Sequence, residues 1–207
     1  MSCKSLFKSG LLLALAFLFF MPAPAKEIKN SGKVLVFVSQ SDFRDEEYFK
    51  PKKIFTKAGF EVVTVSNTKE QATGMLGAKI MPDMALSSVK SSSEYAAIVI
   101  VGGNESMKYI WWNKPLMNLI EDFEKNNKVI SGIGQAQVVI AQAGLLEKKL
   151  ATVTNIKEAK DEFVKYKVKY IPKDVVISGN IVTAEGPQTS SKFGKTVLKL
   201  LAKEEKR

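Results

Sequence analysis

The sequence predicts an α/β domain with a mostly parallel sheet covered by helices on both faces. Three observations carry that expectation. Continuous apolar runs of strand length, KVLVFVS (33–39), AAIVIVGG (96–103) and KVISGIG (128–134), have the composition of strands buried on both faces. Segments with helical spacing lie between them, the alternation that builds parallel sheets. Two of the runs stop at glycine corners, Gly102-Gly103 and Gly134, at the carboxyl ends of strands where such sheets bind ligands.

Taken in order, the first run is bounded by Gly32 and a polar loop. Asp45 is expected to cap the next helix, Pro51 to sit near its first turn, and Gly59 to end it before the strand FEVVTVS (60–66). The stretch 69–95 has the weakest pattern, with a short strand expected at 78–82, and its methionines Met75, Met81 and Met84 read as gap fillers. Asn113 and Pro115 open a helix on which Leu116, Leu119, Ile120 and Phe123 recur at helical spacing. The helix QAQVVIAQAG (135–144) follows the Gly134 corner and ends at Gly144. VVISGNIVTA (175–184) reads as a hairpin around Gly179-Asn180, and Phe193, Val197, Leu200 and Leu201 mark a final amphipathic helix.

The first residues are a separate object. Lys4 and Lys8 precede the apolar run GLLLALAFLFF (10–20), and Ala23-Pro24-Ala25 supplies the small-x-small arrangement of a signal peptidase site. The run is shorter than the ~20 apolar residues of a membrane-spanning helix. The expectation is a signal peptide over 1–25 with cleavage after Ala25, a linker over 26–32, a domain over 33–205, and export to a periplasm or the exterior; an uncleaved anchor is the alternative. No later segment is apolar enough to span a membrane.

Cleavage removes the only cysteine, Cys3, and the chain contains no histidine. A mature chain without either offers no disulfide, thiolate nucleophile, Ser-His or Cys-His pair, or Cys/His metal site, and no cofactor motif is present. Loss of Lys4 and Lys8 from 31 basic residues leaves 29 against 21 acidic, a net charge of +8. The lysines are scattered among acids, as in KEAKDEFVKYKVK (157–169), without an aromatic-basic ladder. The charge therefore predicts a solvated surface that leans toward anionic envelope surfaces, and no nucleic-acid partner.

Four ordered landmarks, FRDEEYFKP (43–51), IVIVGGN (98–104), VISGIGQAQVVIAQAGLL (129–146) and GNIVTAEGPQTSSKF (179–193), make residues 33–203 resemble the ThiJ/PfpI superfamily, which includes the parkinsonism-associated protein deglycase. The resemblance implies a flavodoxin-like three-layer sandwich and homodimerisation. It also implies a site in which a cysteine at the strand-to-helix elbow meets a glutamate from the loop after the first strand and glycine amides that hold an oxyanion. Matched residue by residue, Gly134 stands at the cysteine position, Gln135, Ala136 and Gln137 follow it, Glu47 takes the glutamate's place, and Gly102 and Gly103 take the place of the amide donors. Glu185 replaces an arginine of the last landmark.

Glycine at such an elbow keeps the turn, relieves the strain a Cβ would carry, and removes the nucleophile. The implied function is therefore non-catalytic: binding, interaction or a stress-related holding role. The alternative is a hydrolase or lyase in which Glu47 acts on water against a small carbonyl-type substrate. Away from a pocket, Glu47 would be one of a surface pair with Glu46 at a helix N-terminus. Gln135 and Gln137 fit two roles, polar fillers of a first turn or ligand-binding amides. With Glu47 and Glu185 in one pocket, a neutral polar ligand, ordered water or no ligand is expected rather than an anion. Trp111 and Trp112 suit helix docking in the core, or an interface.

Overall fold

The computed structural model describes residues 32–204. The expected signal peptide, residues 26–31 of the linker and residue 205 lie outside the described residues. The sheet has seven strands in the order β10-β11-β7-β6-β1-β2-β5, where β1 is Lys33–Phe37, β2 Glu61–Ser66, β5 Met84–Ala85, β6 Tyr95–Ile100, β7 Val129–Ile133, β10 Val175–Ser178 and β11 Ile181–Ala184. Only the β10–β11 pairing is antiparallel. The three apolar runs thus occupy β1, β6 and β7 at the centre, with Leu35 paired to both Val63 and Ile98.

Helices cover both faces, giving the expected mostly parallel three-layer fold. On one side α1 (Asp45–Lys57) and α6 (Ser190–Glu204) pack over Val34, Val36, Val99, Val129 and Val182, with Phe55, Phe193, Val197 and Leu201 buried beneath them. Gly194 permits the close approach: a Cβ there would come within 3.0 Å of Pro51 Cα. On the other side α3 (Lys114–Lys125), α4 (Gln137–Gln142) and α5 (Lys157–Lys165) bury Leu116, Ile120, Phe123, Val139, Ile140 and Phe163 against Leu35, Ile98 and Ile130. Alternate residues of each strand serve the two layers, which is why the strands read as unbroken apolar runs.

Several elements follow the sequence closely. Asn113 caps α3 by accepting a hydrogen bond from the Leu116 amide at 3.1 Å. The hairpin turns at Gly179 with φ of +66°, and Gly144 follows α4 with φ of +78°. Other expectations fail for physical reasons. Asp45 does not cap α1; Arg44 is the cap residue, and the Asp45 carboxylate instead accepts from the amides of Leu76 (2.8 Å) and Ala78 (3.1 Å). Pro51 lies in the second turn rather than the first, where its ring packs against α6 and it offers no N–H to the Glu47 carbonyl.

The weakly patterned segment forms a small hairpin, β3 (Ala72–Thr73) with β4 (Lys79–Ile80), followed by the edge strand β5. Its two-residue strands are too short to carry a period. Asp45 supplies the missing local signal, because its carboxylate fixes the 74–78 turn from 31 residues away. Also outside the sequence expectations are α2 (Ser106–Tyr109), the helix α5, and the two-residue pair β8 (Leu150–Ala151) with β9 (Lys169–Tyr170). In α5 lysines alternate with acids and only Ala159 and Phe163 are buried, so little apolar periodicity is written into it.

Replacing Asp45 with alanine removes both hydrogen bonds to the 74–78 turn and is expected to lower unfolding free energy by about 2 kcal/mol. Urea denaturation reads the change, and Asp45→Asn should recover part of the loss through its remaining carbonyl oxygen.

Candidate functional site

Four neighbouring strands, β11, β7, β6 and β1, present their carboxyl ends at one edge of the sheet. The chain leaving β1 is held there by backbone contacts: Arg44 N–H donates to the Gly102 carbonyl at 2.8 Å, and Phe43 forms bridges to Gly103 and Gly74. Gly103 has φ of +149°, and a Cβ on it would lie 2.0 Å from the Asp42 carbonyl oxygen. Only glycine allows the loop after β1 to cross the end of β6 this closely.

That crossing delivers the first turn of α1 to the corner after β7. Glu47 is 2 % exposed, and its Oε2 accepts a hydrogen bond from the Gly102 amide at 3.0 Å. Gly134 has φ of +76°, and a Cβ there would sit 2.7 Å from both Glu47 carboxyl oxygens. The Glu47 carboxyl therefore fills the space that the first atom of a side chain at the corner would need. Gly134 is itself fixed on both sides, its amide donating to the Ala184 carbonyl and its carbonyl accepting from the Thr154 amide, each at 3.0 Å.

Burial pushes the Glu47 carboxyl up from 4.5 to about 8, against the opposing pull of the Gly102 amide and the Arg44 charge. At neutral pH the group is thus mainly a carboxylic acid, able to donate as well as accept. The Arg44 charge is occupied elsewhere: its guanidinium pairs with Glu46 at 2.7 Å. Glu46 and Glu47 are accordingly not a surface pair. One turns outward to Arg44 and the other inward to Gly102.

A cleft of about 170 Å³ opens above this carboxyl, lined by Arg44, Glu47, Gly103, Asn104, Gly134 and Gln135, with Met75, Thr154 and Pro187 completing its wall. Of the residues expected to share a site, Glu47, Gly102, Gly103, Gly134 and Gln135 are brought together, with Gly102 beneath the lining. Glu185 is not. Its carbonyl accepts from the Thr154 hydroxyl at 2.7 Å, and it lines an adjacent cleft with Asn155, Asp174 and Gln188. Glu185 and Glu47 thus face different clefts, separated by Thr154 and Pro187, which border both.

The two glutamines divide. Gln135 is part-exposed in the cleft, while Gln137 is fully buried and donates to the carbonyls of Ala184 and Thr152. Gln137 therefore ties the start of α4 to β11 and to the residue after β8, and it does not line the cleft. The helix begins at Gln137, two residues later than expected, because Gly134 to Ala136 form the turn itself. Trp111 is buried and braces that turn by donating from Nε1 to the Gln135 carbonyl at 2.9 Å. Trp112 is 51 % exposed beside Lys165. Sequence reasoning missed Arg44, Asn104, Thr154 and the bracing Trp111. Arg44 and Asn104 lay within quoted landmarks, but no local pattern distinguishes Thr154.

A larger cleft, about 500 Å³, lies at the opposite edge of the sheet between Lys33, Glu61, Asp83, Lys90 and Glu94. Lys33 and Glu94 pair with each other there at 2.9 Å, and the strands present their amino ends, so the smaller cleft is the better candidate. Among the described residues no group of three His, Cys, Asp or Glu side chains is placed to hold a metal ion, and no helix is long and apolar enough to cross a membrane.

Residues 32–200 match the DJ-1/PfpI family. An uncharacterized protein of Methanocaldococcus jannaschii is 42 % identical over 178 residues, covering 86 % of each chain. A putative cysteine protease of Bacillus subtilis is 29 % identical over 83 % of this chain and 99 % of its own. The crystal structure of a ThiJ/PfpI domain protein from Brachyspira murdochii superposes with a TM-score of 0.78 at 33 % identity, covering 83 % of this chain and 96 % of that one.

Two predictions follow from the carboxyl under the corner. Because the folded-state pKa of Glu47 is raised, its contribution to stability is full below about pH 4.5 and is lost as pH rises through about 8. Glu47→Gln has no proton to lose, so its melting temperature should gain on that of the wild type as pH rises from 5 to 8; a constant difference across that range would refute the buried acid. Gly134→Ala must hold φ of +76° and displace the carboxyl, and should cost roughly 1–3 kcal/mol in chemical denaturation.

Proposed function

This chain belongs to the DJ-1/PfpI family, and from that premise we propose that it uses the family scaffold as a non-catalytic binding domain whose cleft takes a small, uncharged polar ligand. One observation carries the reading: at the strand-to-helix corner the residue is Gly134, and the acid of Glu47 stands where a nucleophile's side chain would begin. No cysteine or histidine occurs among the described residues to replace it. The hydroxyl of Thr154, which also lines the cleft, is engaged in donating to the Glu185 carbonyl.

The chemistry of the walls favours a neutral ligand. Glu47 is protonated at neutral pH, Arg44 is neutralised by Glu46, and Asn104 and Gln135 present amides that both donate and accept. A volume of about 170 Å³ accommodates only about six waters or an organic molecule of comparable size. Binding there would couple to the loop after β1, because Glu47, Arg44 and Gly103 all belong to its crossing. A stress-related holding role in an exported chain is compatible with such a cleft, and export itself rests on the leader-like residues 1–25.

A second reading has its own support. A buried carboxyl with a pKa of about 8 is poised as a general acid or base near neutral pH, which suits a hydrolase or lyase acting through water on a small carbonyl-type compound. Turnover of methylglyoxal or a peptide substrate by the purified chain, abolished in Glu47→Gln, would establish this reading and sink the non-catalytic one. No turnover in either protein, with ligand-induced melting shifts that Glu47→Gln alters, is the outcome expected here.

The corner itself can be tested by restoring a thiol. In a Cys3→Ser background, Gly134→Cys must shift the Glu47 carboxyl as Gly134→Ala does, and the shifted acid, next to the new sulfur, can donate a hydrogen bond to a thiolate and lower its pKa. Iodoacetamide should then alkylate it at pH 7 at least tenfold faster than free cysteine. An unaccelerated rate would mean that Glu47 and Gly102 no longer frame a functional elbow.

A further inference from the structure

We infer that the solvent face of α1 and α6 is a docking surface for an anionic lipid bilayer. The two helices lie side by side in one layer, joined where Pro51 meets Gly194. Between Tyr48 and Lys57, and between Ser190 and Lys203, they carry eight lysines and no acidic residue. Seven of these, Lys50, Lys53, Lys57, Lys192, Lys195, Lys199 and Lys203, are exposed. Lys192 pairs with Asp174 and Lys50 acts on Glu46, but Lys53, Lys57, Lys195, Lys199 and Lys203 form no ion pair among the described residues.

The opposite helical layer is built differently. There α3 and α5 carry five lysines and six acids, with Lys157–Asp161 and Lys165–Glu162 paired along α5. Over their full lengths α1 and α6 carry eight lysines against four acids, Asp45, Glu46, Glu47 and Glu204, so this pair of helices is net positive while α3 and α5 together are net negative. Lys195, Lys199 and Lys203 recur at four-residue intervals, as do Lys53 and Lys57, so like charges stack along each helix and repel one another. An extended negative surface relieves that repulsion, whereas a second copy of the same face would add to it.

Lipid fits this face better than nucleic acid. Arg44, the one arginine among the described residues, is paired with Glu46 at the cleft mouth, so among those residues this face lacks the planar fork that grips phosphates and base edges. Exposed lysines spread along two adjacent helices suit the diffuse charge of headgroups instead. Phe49, 44 % exposed at the edge of α1, adds an aromatic side chain able to enter the headgroup region. The surface is independent of the cleft at Glu47, whose lining residues include none of these lysines.

The test is sedimentation of the full chain with phosphatidylcholine vesicles, with and without about 30 % phosphatidylglycerol, the neutral vesicles giving the share of binding due to the apolar leader. Anionic lipid should raise the partition coefficient at least tenfold at about 50 mM salt, and about 500 mM salt should abolish the increment. Each lysine near an anionic surface contributes about fivefold. The triple variant Lys53→Glu, Lys195→Glu, Lys199→Glu should therefore lose most of the increment while melting no more than a few degrees lower. Lys157→Glu with Lys160→Glu on α5 should keep it. The proposal is overturned if anionic lipid gives no increment, if the α5 variant loses as much as the triple variant, or if a DNA duplex at equal phosphate concentration binds more tightly than the vesicles.

Discussion

The contact between the Glu47 carboxyl and the two glycine corners is the constraint on which the candidate site depends. Burying a carboxyl to 2 % exposure with a single amide donor is costly if it stays ionised, and the protein meets that cost by retaining the proton. Every element around it is placed to permit the burial. Gly103 lets the loop after β1 cross the end of β6, Gly102 supplies the amide, and Gly134 leaves room for the two oxygens. A side chain at any of these three positions would meet backbone or carboxyl atoms closer than 3.0 Å.

From that constraint the cleft takes its character. At the corner after β7 Gly134 has no side chain, and the space one would need is filled by an acid that belongs to a different element, while the turn itself is held by backbone hydrogen bonds. Trp111 and Gln137 show how much of the local structure serves the turn: one braces the Gln135 carbonyl, the other ties the following helix to β11 and to the residue after β8. Charge is likewise partitioned by geometry. Arg44 and Glu46 satisfy each other at the cleft mouth, and Glu185 is turned into a neighbouring cleft, leaving the Glu47 cleft with little net charge.

How much of this was legible in the sequence depends on range. The central strands were readable because burial on both faces writes an unbroken apolar run, and α3 because Asn113, Pro115 and its apolar stripe act within one helix. Of the β3–β4 hairpin only the short strand expected at 78–82 was readable; its partner and turn were not, since the turn is fixed by Asp45 from another element, and the same carboxylate was misread as a local helix cap. For α5, alternating charges with two buried residues left too weak a period to register. The landmarks pointed to Glu47, Gly102, Gly103, Gly134 and Gln135, which the fold brings together, and to Glu185, which it turns into a neighbouring cleft; for Gln137, the burial fits the reading as a polar filler of the first turn.

By itself, then, the sequence determined the alternating architecture, the glycine corners, the absence of histidine and the confinement of cysteine to position 3, because these follow from composition and from patterns a few residues long. Tertiary structure alone decided how the acid singled out by the landmark is held and in what protonation state. Glu46 and Glu47 are adjacent and chemically equivalent in the sequence; only the crossing of the loop over β6 sends one to Arg44 and the other into a dry corner where the proton stays on. It likewise decided that lysines scattered along the chain are gathered on one face, since α1 and α6 are distant in sequence and become neighbours only when the sheet brings them together.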